Sequence, residues 1–381
     1  MPTTDRQLTQ RNGSLPDLVT LLRDQHAAKV DVVIPAAGIR SSGGRWQIDG
    51  TGAAVLGPDG VTTSPGSFVP TGTCDAGMAD KLGIPVAYMR RLRDEHLGLY
   101  DANINGWLDH EPGRRLLIRT LRAENGDGIA RAVLSERYRF VDNLDVLLAV
   151  LDGIRGAGAD VEVRRCDLTE RRMYVQIASQ SVAARADVLL QNYVSPFTGA
   201  RGADNPLVFA GFVLSNSETG HGSFSITPRL IAQVCSNGYT ITKDAMREVH
   251  LGGRLDAGVV QWSAGTQQAA IELITRQAAD ATATFLTGDY LRRSLADIEQ
   301  RAGVLVGDVP ATLKYVAAQC RFTDEQQAAI LDHFIGGADR TAGGILQAVT
   351  SAAQVQDDAD VAYEMERLGL RAMTLAAAHQ G

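Results

Sequence analysis

Between Asp204 and Gly252 the sequence gathers the residue types that most readily do chemistry. Glu218 and His221 stand three apart, and Cys235 and His250 follow at longer range. These are ligand types that zinc accepts, three or four at a time in a tetrahedral array. No second close pair of soft ligands accompanies them and nothing in the spacing forces them together, so the competing reading is four unrelated polar residues. A strand ending in Ser215-Asn-Ser-Glu218 beside Gly220 and Gly222 either presents backbone N–H groups to an anion or turns a hairpin. Arg247 and His250 share a face if their segment is helical, and both then suit phosphate; a helix-terminus or core-edge role is the alternative.

Arginine is the second chemical signal. Of 37 basic residues only Lys29, Lys81, Lys243 and Lys314 are lysine, and the guanidinium fork pairs bidentately with phosphate oxygens. A GC-rich source genome produces the same bias, since the chain is also rich in Ala and Gly. From Glu111 to Phe140 seven basic residues stand against four acidic ones. The candidate phosphate contacts are Arg119, Arg122, Arg131, Arg137, Arg139, Arg229, Lys243 and Arg247. Their role is electrostatic, so affinity is expected to fall steeply with salt. Arg137-Tyr-Arg-Phe140 is the one tight interleave of arginines with rings able to stack on bases. In an extended segment Tyr138 and Phe140 share a face and go to the core instead.

Other chemistries lose ground. The sequence contains no GxxxxGK[ST], no GxGxxG opening a helix after a strand, no HExxH and no GxSxG. No cofactor is implied. Cys74, Cys166, Cys235 and Cys320 are far apart, which reads as reduced thiols rather than a disulfide scaffold. No apolar run reaches the ~18 residues of a membrane span, and Met1-Pro-Thr-Thr-Asp-Arg6 lacks an export signature, so the expected compartment is the cytoplasm. The formal net charge is −7, with nine acidic residues against three arginines from Asp324 to Gly381. The remainder is close to neutral and has room for a local basic groove.

The elements that must position these residues read as an α+β protein, with a mixed, mainly antiparallel sheet, packed helices and a helical C-terminal region. Residues 1–70 read as a poorly defined segment: a helix carrying Leu18, Leu21 and Leu22, then loops and short strands. The body spans 71–262. Its clearest signal is a hairpin, Leu116–Arg122 and Ile129–Leu134 around Asn125-Gly-Asp-Gly128, whose turn residues tolerate positive φ. Asp142 is placed to cap an apolar helix through Ile154. Strands are expected at Val161–Cys166, Arg172–Ala178, Leu207–Leu214, Gly222–Thr227 and Tyr239–Thr242, with a short helix at Pro228–Val234. Residues 263–381 read as alanine-rich helices, a possible assembly surface or the closing layer of the protein's own core.

Leu134-Ser-Glu-Arg-Tyr-Arg-Phe-Val-Asp-Asn143, the Gly211–Gly222 stretch with Ser-Asn-Ser-Glu, Cys235-Ser-Asn-Gly238 and Arg247-x-x-His250-x-Gly252 together resemble the phage/plasmid-like proteins called domain of unknown function 932. Asp80–Pro85 and Asn103–Leu108 resemble the region before that family's hairpin. Gly343-Gly-Ile-Leu-Gln-Ala-Val-Thr350 resembles its C-terminal helix, where Asn-Ala-x-Thr is usual and Gln347 departs. The resemblance spans roughly residues 70–380. It implies a mobile-element protein without a settled activity, and a distant similarity to single-strand annealing recombinases implies a nucleic-acid partner, single-stranded DNA, and a homo-oligomer. The expected function is therefore non-catalytic nucleic-acid binding. A metal-dependent enzyme using Glu218, His221, Cys235 and His250, and an oligomeric structural or host-interaction protein, are the alternatives.

Overall fold

The structure, a computed structural model, describes residues 8–52, 54–58, 60–123, 127–138, 140–248 and 264–379. It is α+β, with twelve α-helices among the described residues, two large sheets and a small two-stranded one.

The first half runs β1 (Gln10–Gly13), α1 (Leu15–Ala28), β2 (Lys29–Pro35), β3 (Ile39–Ser42), β4 (Arg45–Ile48), β5 (Ala54–Gly57), β6 (Gly60–Thr63), β7 (Gly66–Pro70), α2 (Gly72–Leu82), α3 (Val86–Glu95), α4 (Leu97–His110), β8 (Arg115–Arg122) and β9 (Asp127–Ser135). Strands β2-β8-β9-β7-β4-β3 form a mixed sheet in which β7 and β9 are parallel and the other pairs antiparallel. Trp46, Phe68, Met78, Tyr100, Ile104 and Ile118 fill the core between this sheet and α2–α4.

The second half runs α5 (Asn143–Gly156), β10 (Val161–Leu168), β11 (Met173–Arg185), α6 (Asp187–Leu190), β12 (Leu207–Asn216), β13 (Phe224–Ala232), β14 (Gly238–Thr240) and β15 (Met246–Glu248). The helices α7 (Ala264–Phe285), α8 (Gly288–Ala302), α9 (Val309–Cys320), α10 (Asp324–Gly337), α11 (Ala342–Gln354) and α12 (Ala359–Ala378) follow. The second sheet is wholly antiparallel, β1-β10-β11-β12-β13-β14, with β15 also on β13. Its core joins α1, α5 and the C-terminal helices through Leu18, Val150, Phe212, Ile274, Leu291 and Leu346.

Two expectations are corrected. Residues 10–70 are not a loosely defined lead-in: β1 edges the second sheet and β2, β3, β4 and β7 supply four of the six strands of the first. Strands of four to seven residues carry little local signal, and their partners lie as far away as β8 and β9. Pro228–Val234 is no helix, because β13 runs straight through Pro228. Pro228 lies between the stretch of β13 paired with β15 and the stretch paired with β14. Its carbonyl faces that side and accepts from Ile241 N at 2.9 Å, so the missing N–H falls where no ladder bond is required.

Candidate functional site

The hairpin β8–β9 brings Arg119 and Arg131 to the junction of the two sheets. The Arg119 side chain is fully buried. Its guanidinium donates to Asp31 at 2.9 Å, to Asp142 at 2.7 Å and to the Glu218 carbonyl at 3.1 Å, and stacks 3.5 Å from the Phe140 ring centroid. Arg131 meets the Glu218 carboxylate at 2.8 Å, and Lys29 closes the group on Asp142. Burial opposes the Arg119 charge, but Glu218, Asp31 and Asp142 outweigh it and hold the group ionised. Burial likewise opposes the Asp142 charge, yet Arg119 and Lys29 pull its pKa below the ordinary aspartate value of 3.8.

This cluster also starts a helix. Asp142 is the N-cap residue of α5 but makes no capping bond, since its carboxylate is taken by Arg119 and Lys29. Glu218 accepts from Asn143 N instead, and Asn216 Nδ2 donates to Asn143 Oδ1 at 2.9 Å. The Ser-Asn-Ser-Glu stretch thus caps α5 from 75 residues away. Sequence reading misses Lys29 and Asp31 as members, because their partners Asp142 and Arg119 lie about ninety to a hundred and ten residues away.

A second buried cluster contains no ionised group. Asn237 Nδ2 lies 2.8 Å from Gln347 Oε1 and 3.0 Å from Ser351 Oγ, while Asn237 Oδ1 accepts from Gln354 Nε2 at 2.5 Å. Gln347 and Tyr239 OH are 2.8 Å apart, and Tyr193 OH is 3.1 Å from Ser351 Oγ. Cys235-Ser-Asn-Gly238 and the Gly343–Thr350 helix therefore meet, and Gln347 is the residue that joins them. Close by, Arg229 pairs with Glu366 of α12 at 2.9 Å, both buried. Its guanidinium lies where any Cβ on Gly238 would fall, so glycine is required there.

The arginine candidates divide sharply. Arg119 and Arg229 are enclosed with carboxylates and are withdrawn as phosphate contacts: in a buried site the fork already has its anion. Arg131 is tied to Glu218, and Arg122 donates to the Thr51 and Gly52 carbonyls. Lys243 is exposed but paired with Asp297 at 3.0 Å. Arg137 and Arg247 are exposed, Arg247 on strand β15 rather than a helix. Arg139 and His250 lie outside the described residues. Tyr138 and Phe140 pack on Leu117, Ala132 and Leu134.

The four metal-ligand candidates do not come together. Glu218 belongs to the charged cluster. His221 turns its ring to Thr219, at 3.1 Å from the carbonyl, and burial and then Arg171 lower its basicity. Cys235 sits by the amide cluster, its thiol pushed up to about 11 by burial. Among the described residues no group of three or more His, Cys, Asp or Glu side chains is arranged to hold a metal.

Beside the charged cluster opens a cleft of 330 Å³. Its walls are the β10–β11 turn (168–171), the start of α2, residues 9–11 and the tip before α12. Arg90 of α3 and Arg171 of the turn line it, both exposed and neither in an ion pair among the described residues. Three of its carboxylates are engaged: Glu170 accepts from Thr73 N at 3.0 Å, Asp358 caps α12 through Asp360 N, and Asp360 takes Thr169 Oγ1 at 2.9 Å and Tyr174 OH at 2.7 Å. A fourth, Asp357, also lines it, so the cleft sets Arg11, Arg90 and Arg171 against four carboxylates, and Arg11 is itself paired with Asp167. The Arg171-Arg172 pair in a short polar turn is the signal that could have marked this place in the sequence. Among the described residues no helix is long and apolar enough to cross a membrane.

Compared with family models, with curated proteins and with solved structures, the chain matches none.

Proposed function

We propose that this is a cytoplasmic, non-catalytic nucleic-acid-binding protein of a phage, prophage or plasmid, taking single-stranded DNA. The observation that carries the reading is the pair Arg90 and Arg171, guanidinium groups that line one cleft and enter no ion pair among the described residues. Phosphate contact of this kind needs no covalent chemistry, and it shifts the interface from the β8–β9 hairpin to the cleft rim, with Arg137 and Arg247 as outlying contacts.

Fluorescence polarisation with labelled single-stranded and duplex DNA across a salt series tests it. Binding is expected to weaken with salt and to favour the single strand. The double variant R90A/R171A is expected to weaken it and to flatten the log–log salt slope by about 1.4, some 0.7 for each lost contact on a single strand. Absence of binding at low salt, or binding unchanged in the double variant, overturns the reading.

A further inference from the structure

Three exposed charged side chains reach the cleft from three separate elements. Arg90 comes from α3, Arg171 from the β10–β11 turn and Asp357 from the link between α11 and α12. None of the three enters a side-chain hydrogen bond or ion pair among the described residues. The other carboxylates of the cleft are engaged: Glu170 accepts from Thr73 N, Asp358 from Asp360 N, and Asp360 from Thr169 and Tyr174. Asp357 is therefore the one carboxylate there with both oxygens open to a ligand.

A carboxylate offers acceptors only, and so does a phosphate. Asp357 repels the backbone of a strand whose phosphates lie on Arg90 and Arg171, and only a donor can approach it. In a single strand the donors are on the bases, whose Watson–Crick edges are open. The four bases differ there. Thymine presents one N–H between two carbonyl oxygens, and those oxygens are repelled by a carboxylate. Adenine and cytosine present one amino group beside a ring nitrogen that accepts. Guanine presents two adjacent donors, N1–H and the 2-amino group, which match the two oxygens of a carboxylate as a bidentate pair. Size sets the count: 330 Å³ lies at the small end of the roughly 300–1,000 Å³ of small-ligand sites, room for one nucleotide and not for a run.

We propose that the cleft seats one guanine nucleotide of the strand, with phosphate on Arg90 and Arg171 and the base edge on Asp357. Asp357 is then the specificity-determining residue, while the two arginines supply affinity common to all sequences. This assignment rests on the nucleic-acid reading and adds a base preference to it.

Fluorescence polarisation at one low salt concentration tests it, comparing oligo(dT) with oligo(dT) that carries isolated guanines, spaced so that they do not form tetrads. The wild type is expected to bind the guanine-bearing strand about tenfold more tightly, within the range that one bidentate base contact gives. D357N exchanges one acceptor for a donor and removes a negative charge from the cleft. In it the guanine advantage is expected to vanish while binding to oligo(dT) strengthens, with circular dichroism unchanged. R90A/R171A is expected to weaken both strands alike and to keep their ratio. Equal binding of the two strands by the wild type, or a guanine advantage that D357N retains, overturns this assignment and leaves the nucleic-acid reading standing. Failure of both strands to bind overturns the two together.

Discussion

The two buried polar clusters do similar work with opposite chemistry. At the junction of the sheets, Arg119, Arg131 and Lys29 are set against Asp31, Asp142 and Glu218. Where the second sheet meets the C-terminal helices, Asn237, Gln347, Gln354, Ser351 and two tyrosines form a neutral network. Buried ions carry a large desolvation cost that only complete pairing offsets, so the charged cluster is intolerant of losing any member. Amides cost less to bury, and their geometry fixes which residues face each other. The charged cluster thus depends on balance, the neutral one on reach.

Arg119→Met would break the comparison most sharply. It leaves Asp31, Asp142 and Glu218 buried without their shared partner, and a loss of about 3–5 kcal/mol in chemical denaturation is expected. A loss below about 1 kcal/mol would mean that the carboxylates find water or protons readily. Gln347→Asn withdraws the amide by one methylene from both Asn237 and Tyr239. The expected loss is about 1–2 kcal/mol, and a neutral result would show that the helix shifts to follow the shorter side chain.

The smallest contrast is one of pH. Asp142 has its folded pKa held below the ordinary 3.8, so its contribution to stability is present above that value and is lost as pH falls through the lower folded one. The neutral cluster has no group that takes a proton there. As pH falls below 3.8, hydrogen exchange is therefore expected to rise at the start of α5 and along β8 before it rises in α11. Simultaneous loss of protection at both places would show that the clusters open as one.

The sequence made some of this architecture legible for definite reasons. The β8–β9 hairpin was visible because apolar segments flank Asn-Gly and Asp-Gly, although residues 124–126 of its turn lie outside the described part. The helices after Ala264 were visible from their alanine-rich composition. The apolar helix after Asp142 was legible, but its capping was not: Asp142 has the right residue type, and the tertiary fold diverts its carboxylate to Arg119. Described residues of the motifs at 134–143, 216–218, 235–238 and 343–350 are where long-range bonds converge, so the motifs marked structural contacts. Arginine spacing could not separate Arg119, at the bottom of a cluster, from Arg171 at a cleft, because burial is decided by partners a hundred residues away.

The trans-capping of α5 by Glu218 has a bearing on how the protein is made. Arg119 and the Glu218 carbonyl it binds are 99 positions apart, so at roughly 5–20 residues per second the ribosome takes on the order of 5–20 s to deliver the missing partner after Arg119 has been added. During that interval the nascent chain carries a helix without its cap and an arginine without one of its carboxylates. Neither can be buried until the β12–β13 loop emerges, which sets docking of the two sheets late in synthesis.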